Sequence, residues 1–115
     1  MARRYKRKLS KFTLEVLELV KKIPRGRVST YKAIGKALGK RGQIYRAVGR
    51  ALKDNPCPVK IPCHRIVCSD GSIGGYSGKG GVRRKIELLK SEGIKIRKGK
   101  IVDFSKKIFR FDMIP

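Results

Sequence analysis

Between Ser29 and Asp54 the chain carries two apolar stripes at helical spacing, close together, and few small folds can bury both. Ile44, Ala47, Val48, Ala51 and Leu52 stand at i, i+3, i+4, i+7 and i+8, so a helix over about 43–54 must turn that face inward. Ala33, Ile34, Ala37 and Leu38 form the stripe of a shorter helix that Ser29 or Thr30 can cap and Gly39 can end. Lys40-Arg41-Gly42 is the turn between them, and Asn55-Pro56 stops the second helix. Arg46, Arg50 and Lys53 line a different face of that helix. Two short helices joined by a glycine-containing turn, the second faced with arginine, read as a helix-turn-helix.

Charge gives that face a use. Lys and Arg total 31 against 8 acidic residues, a formal net charge of +23. So much positive charge on 115 residues repels itself and calls for a polyanionic partner, nucleic acid first. An anionic membrane surface is the second candidate, but no helix shows a large apolar face with a purely basic back. Heat adaptation is a blander reading, and the single Asn and single Gln fit it; that adaptation usually adds acids too, and here they are few. No apolar run reaches the ~18–20 residues of a membrane span. No secretory signal is visible, so a cytoplasmic location is expected, at the nucleoid in a prokaryote, with Cys57, Cys63 and Cys68 reduced. A Cys57–Cys68 disulfide is the alternative.

The length suits one α+β domain with one modest core. Residues 1–9 form a basic arm. A first helix starts at the N-cap Ser10, with Leu14, Leu17 and Val20 on one face, and stops before Pro24. After Cys57 strands and loops are expected, with a hairpin joining Ile66–Cys68 to Ile73 through Asp70-Gly71. Residues 74–81 are glycine-dense around Tyr76. A last helix spans about 82–91, with Val82, Ile86 and Leu89 inward and Gly93 as its stop. Residues 94–115 form a basic extension with a hairpin turning at Lys98-Gly99.

The chemistry centres on Ile61-Pro62-Cys63-His64-Arg65-Ile66-Val67-Cys68. Pro62 stiffens the approach to Cys63, and Ile66-Val67-Cys68 reads as a buried strand. Cys63 is a candidate nucleophile, which needs a base or a positive field to become a thiolate. His64, the only histidine, can be that base, directly or through one water. A third group should hold its tautomer. The candidates are Asp54, Asp70, Glu87 and Glu92, with Glu92 preferred because it ends a helix that packs near the site. The plain alternative is a buried, inert cysteine. Zinc held by Cys57, Cys63, His64 and Cys68 fits no common ligand spacing. No metal or other cofactor is expected.

These residues resemble the active-site signature of the O6-alkylguanine-DNA alkyltransferases (methylated-DNA–protein-cysteine methyltransferases). Val28-Ser29-Thr30-Tyr31, Tyr45-Arg46-Ala47-Val48-Gly49, Asn55-Pro56, Gly75-Tyr76-Ser77-Gly78 and Leu88-Leu89-Lys90-Ser91-Glu92-Gly93 follow in that family's order and spacing, over residues 10–93. The resemblance implies a small helix-turn-helix, winged-helix-like domain with a short β-hairpin and a C-terminal helix. It implies DNA repair by a single-use enzyme that flips O6-alkylguanine out of double-stranded DNA and moves the alkyl group irreversibly to Cys63.

In that scheme His64 is the base, Glu92 orients it, Asn55 braces the turn, and Tyr31 helps expel the nucleotide and protonate the leaving guanine. Arg46 fills the vacated stack, at a cost of a few kcal/mol for extrusion. Thr30, Tyr31, Tyr45, Ala47 and Arg50 complete the DNA-binding set. Pro58, Ile66, Tyr76 and Ser77 form the substrate pocket. The family's N-terminal domain has only about a dozen residues in its place here, so its structural role is expected to be lost or taken over by the arm and the tail. A monomer is expected. Alkyltransferase-like proteins, which lack the acceptor cysteine, offer the rival reading of a non-catalytic lesion-binding or DNA-architectural protein.

Overall fold

The computed structural model describes residues 9–39, 44–57, 59–76 and 78–111, with Tyr45 described by its backbone alone. Helix α1 spans Lys11–Lys21, and its N-cap Ser10 accepts a hydrogen bond from the Thr13 backbone N–H. Its inward face is Thr13, Val16, Leu17 and Val20. Leu14, expected inside, is 49% exposed, because the face that meets the next helices is rotated towards Val16.

Strand β1 (Ser29–Thr30) runs straight into helix α2 (Tyr31–Ala37), capped by the Thr30 hydroxyl, which accepts from the Ala33 N–H. Gly39 takes the left-handed conformation after its last turn. Helix α3 spans Tyr45–Lys53 and buries Val48, Ala51 and Leu52, as its stripe requires. Gly35 of α2 lets Ile44 approach so closely that an added Cβ would overlap Ile44 Cγ2. Val16, Leu17, Val20, Ile34, Val48, Ala51, Leu52, Ile61, Cys63 and Ile66 share one core cluster. Burying each large aliphatic side chain contributes on the order of 1.5–3 kcal/mol of transfer free energy.

The site hangs from the next segment. Cys63–Arg65 is a single 3-10 turn, followed by strand β2 (Ile66–Val67). β2 lies parallel to β1, pairing Ser29 with Ile66 and Thr30 with Val67. Alternate side chains of a strand point to opposite faces, so Ile66 joins the helical core while Val67 joins a second cluster with Val28, Ile73, Leu89, Ile94 and Ile101.

This pairing corrects the expected hairpin. The Asp70-Gly71 turn does close, with the Gly71 N–H donating to the Cys68 carbonyl and the Cys68 N–H to that of Ser72. Ser72 then bridges Lys100 instead of extending a ladder along Ile66–Cys68. β2 has its partner in β1, and Ile73 points into the second cluster.

Helix α4 spans Gly81–Ser91 and ends at Gly93, which has positive φ. Its buried residues are Lys85, Leu88 and Leu89, whereas Val82 is 43% exposed. The expected stripe was therefore one position out at its start, and a lysine occupies the inner face. Strands β3 (Ile96–Arg97) and β4 (Lys100–Ile101) form the expected antiparallel hairpin. A four-residue helix α5 (Phe104–Lys107) was not expected. The chain then returns to β1, where the Phe109 N–H donates to the Val28 carbonyl and the Ser29 hydroxyl to that of Phe109. Among the described residues, no helix is long and apolar enough to cross a membrane.

Candidate active site

Cys63 is 7% exposed and lies in the wall of a cavity of about 410 Å³, with Tyr31, Arg46, Arg50, Lys53 and Tyr76 also lining it. Several elements meet there: the N-terminus of α2 brings Tyr31, α3 brings the cations, and the glycine-dense loop brings Tyr76. The turn that aims the thiol is locally braced. Asn55 donates from Nδ2 to the Ile61 carbonyl at 2.9 Å and accepts the Cys57 N–H at 2.8 Å, tying the end of α3 to the approach to Cys63. The Cys63 N–H donates to the Ile61 carbonyl at 2.8 Å. Burial pushes the Cys63 thiol up, against the Asn55 hydrogen bond and the positive field of Lys85.

His64, the next residue of the turn, is fully buried. A carboxylate only accepts, so Nε2–H donates to Glu92 Oε2 at 2.9 Å. Nδ1 is then the acceptor nitrogen, and it has no hydrogen-bond partner among the described residues. Burial pulls the ring's pKa down more than Glu92 restores it, so the imidazole is neutral at neutral pH. Glu92 is fixed from its other side by Arg65, whose Nε donates to Oε1 at 2.9 Å and Nη2 to Oε2 at 2.7 Å, while Nη1 donates to the Ile23 carbonyl. Burial works to raise the Glu92 pKa, but its bonds to Arg65 and His64 outweigh this and hold it below the ordinary range. A neutral imidazole with a held tautomer therefore follows, in the same turn, a thiol in a cavity wall, a combination suited to nucleophilic chemistry.

The structure brings Tyr31, Arg46, Arg50, Cys63 and Tyr76 to one cavity, with His64, Glu92 and Asn55 behind it. Thr30 is buried, and its hydroxyl is engaged as the α2 cap. Ala47 is half-buried on α3. Ile66 is fully buried, and its carbonyl accepts from Lys85. Pro58, Ser77 and the Tyr45 side chain lie outside the described residues. Of the rival acids, Glu87 is exposed near Arg84, and Asp70 accepts from Ser72. Cys57, Cys63 and Cys68 are not joined in disulfides, and among the described residues no group of three or more His, Cys, Asp or Glu side chains could hold a metal ion.

Two residues escaped the sequence reading. Arg65, noted only as a neighbour of the Cys-His pair, supplies two of the bonds to Glu92. Lys85 is wholly buried, and its signal was a lysine at i, i+3, i+4 spacing with Leu88 and Leu89.

Comparison with known proteins places this geometry. A family described as "6-O-methylguanine DNA methyltransferase, DNA binding domain" matches residues 11–94. A methylated-DNA–protein-cysteine methyltransferase of Cricetulus griseus is 47% identical over 87 residues, covering 75% of this chain and 41% of that protein. The chain spans about half the length of the curated relatives it matches. Among solved structures, Mycobacterium tuberculosis OGT in complex with DNA superposes with a TM-score of 0.68 at 35% identity, covering 74% of this chain and 51% of that one. S. pombe Atl1, in complex with damaged DNA containing O6-carboxymethylguanine, gives a TM-score of 0.75 at 28% identity, covering 90% of this chain and 99% of that one. The match runs from α1 through the end of α4, across the Cys63–His64 turn and Glu92, and the chain belongs to the family of 6-O-methylguanine DNA methyltransferase DNA-binding domains.

Proposed function

We propose that this chain repairs DNA by extruding O6-alkylguanine from the duplex and transferring the alkyl group irreversibly to Cys63. The observation that carries the reading is Cys63 in the cavity wall, next to a buried neutral His64 held by Glu92. The cations Arg46, Arg50 and Lys53 rim the same cavity, where a phosphate backbone and a displaced base would meet them.

The steps follow from the atoms. The Cys63 proton passes through one water to His64 Nδ1, and the resulting imidazolium is stabilised by Glu92. The thiolate attacks the alkyl carbon, the Sγ–C bond forms as the C–O6 bond breaks, and the electron pair leaves with guanine. Tyr31, half-buried and lining the cavity, returns a proton to the leaving base. The thioether has no route back to a thiol, so each molecule acts once. Residues 10–93 carry the catalytic and DNA-binding residues, 1–9 act as a basic arm, the chain after 93 completes the second core cluster through Ile94 and Ile101, and the protein works as a monomer.

The test is incubation with duplex DNA carrying O6-methylguanine, followed by intact and peptide mass. A gain of one methyl per molecule, on Cys63, is expected; Cys63→Ser should bind the lesion without gaining mass. Similarity to Atl1 over 99% of that chain favours one rival, a lesion binder that does no transfer. Lesion binding by the native chain with no mass change would establish the rival.

A further inference from the structure

A second concavity, of about 810 Å³, shares no lining residue with the Cys63 cavity. At 3.6 residues per turn, Lys32, Ala33, Lys36 and Ala37 fall on the face of α2 opposite Tyr31. The small side chains of Ala33 and Ala37 leave room there. Leu19 of α1, with Ile108 and Phe111 of the C-terminal segment, supplies apolar walls. That segment is held in place: the Val28 N–H donates to the Lys107 carbonyl, the Phe109 N–H donates to the Val28 carbonyl, and the Phe109 and Phe111 rings meet edge to face at 5.3 Å. The rim is cationic. Lys22, Lys32, Lys36 and Arg110 are exposed around it, and no acidic side chain is among the described residues that line it. Nothing in the alkyl transfer above uses this groove.

We infer that this groove docks an acidic, amphipathic segment of a partner protein, its aliphatic side chains seated on Leu19, Ala33, Ala37 and Ile108 and its carboxylates against the lysine rim. An apolar floor inside a charged rim is the form of a peptide-binding groove. The chemistry selects the occupant. A phosphate backbone would meet the cations but gain nothing from an aliphatic floor. A single strand needs flat rings on which successive bases stack, and Phe111 is the one aromatic among the described lining residues, already edge to face with Phe109. A second copy of the chain would bring its own +23 against the rim, and the arm carries Arg3, Arg4, Lys6, Arg7 and Lys8 with no acid. Docking there does not depend on Cys63 accepting an alkyl group. Because the groove faces away from Tyr31, it stays open while the cavity holds a base.

The probe is a fluorescein-labelled, glutamate-rich peptide of about 15 residues with leucine at i, i+3, i+4 and i+7. Its binding to the full chain is read by anisotropy, and circular dichroism checks the folding of each variant. The pair Lys22→Glu and Lys36→Glu reverses the rim, and Ala37→Phe fills the floor from an exposed position; each should weaken binding at least about tenfold. The pair Lys90→Glu and Lys95→Glu changes charge equally at exposed positions outside the groove and should cost less than about threefold.

No binding of the peptide by the native chain would overturn the inference. Equal losses from the two charge reversals, or equal binding of the same peptide with serine in place of leucine, would reduce the groove to general charge and overturn it too. An oligo-dT strand that displaces the peptide and loses as much affinity from Ala37→Phe would make the groove a nucleic-acid site instead. Peptide binding seen only in a chain ending at Phe111 would make residues 112–115 the occupant, and no partner would be needed. Failure of the repair reading shows separately, as no mass gain on Cys63 from lesion duplex with peptide binding intact.

Discussion

Replacing Glu92 by Gln removes one charge and almost no volume, so its effect reports on the hydrogen-bond logic of the site. Glu92 Oε2 accepts from both His64 Nε2 and Arg65 Nη2, at 2.9 and 2.7 Å, and Oε1 accepts from Arg65 Nε at 2.9 Å. All three partners are donors, and an amide has only one oxygen. If that oxygen takes the Oε2 position, the NH₂ group faces Arg65 Nε–H and one charge-assisted bond becomes a clash of donors. If the amide turns over, the NH₂ faces His64, which must then accept at Nε2 and carry its proton on Nδ1. That is the wrong tautomer for receiving a proton from Cys63.

A lost bond that leaves a buried donor unpaired costs about 1–3 kcal/mol, and breaking a buried pair about 3–5 kcal/mol. Glu92 is 6% exposed and Arg65 14%, so a loss of about 2–4 kcal/mol in a urea unfolding experiment is expected. Alkyl transfer, followed by rapid quench with O6-methylguanine duplex, should slow by about 10²–10³-fold, within the range general-base catalysis contributes. Lesion affinity should change little. A Glu92→Gln protein that folds, binds and transfers within threefold of the native rate would refute the relay.

Three further outcomes are expected. Gly35→Ala should lower the melting temperature, although Ala favours helix by about 1 kcal/mol, because the new Cβ would overlap Ile44 Cγ2 and overpacking costs about 1–3 kcal/mol; a rise in thermal unfolding would contradict that contact. Arg46→Ala should impair base extrusion, read by 2-aminopurine fluorescence opposite the lesion strand, more than bulk DNA affinity by anisotropy, and equal losses would count against the finger role. Stability should fall on acidification. The unfolded chain protonates His64 near 6.5 and Glu92 near 4.5, whereas burial holds the folded His64 lower and the bonds of Glu92 to Arg65 and His64, outweighing its burial, hold Glu92 lower. Both contributions are present above the unfolded values and are lost as pH falls, first below about 6.5 and then below about 4.5; a urea midpoint unchanged between pH 7 and 5 would contradict the His64 part.

What could be read before any coordinates is what short-range physics writes into a chain. The stripe Ile44, Ala47, Val48, Ala51, Leu52 is set by 3.6 residues per turn, and α3 buries Val48, Ala51 and Leu52 accordingly. Ser10 and Thr30 cap their helices because a side-chain oxygen reaches the N–H three residues on. The Pro62-Cys63-His64 turn, the excess of cations and the family's co-linear motifs are local or additive in the same sense.

Tertiary structure decided the pairings between distant segments, which no local rule encodes. β2 chose β1 over the nearer Ile73 because parallel pairing seats Ile66 in one core and Val67 in the other. Arg65 reached Glu92 across 27 residues, and Lys85 turned inward where an apolar side chain was expected. A lysine is ordinarily a surface residue, and only three converging carbonyls, brought from Ile66, Ile73 and Gly75 by the fold, make its burial tolerable.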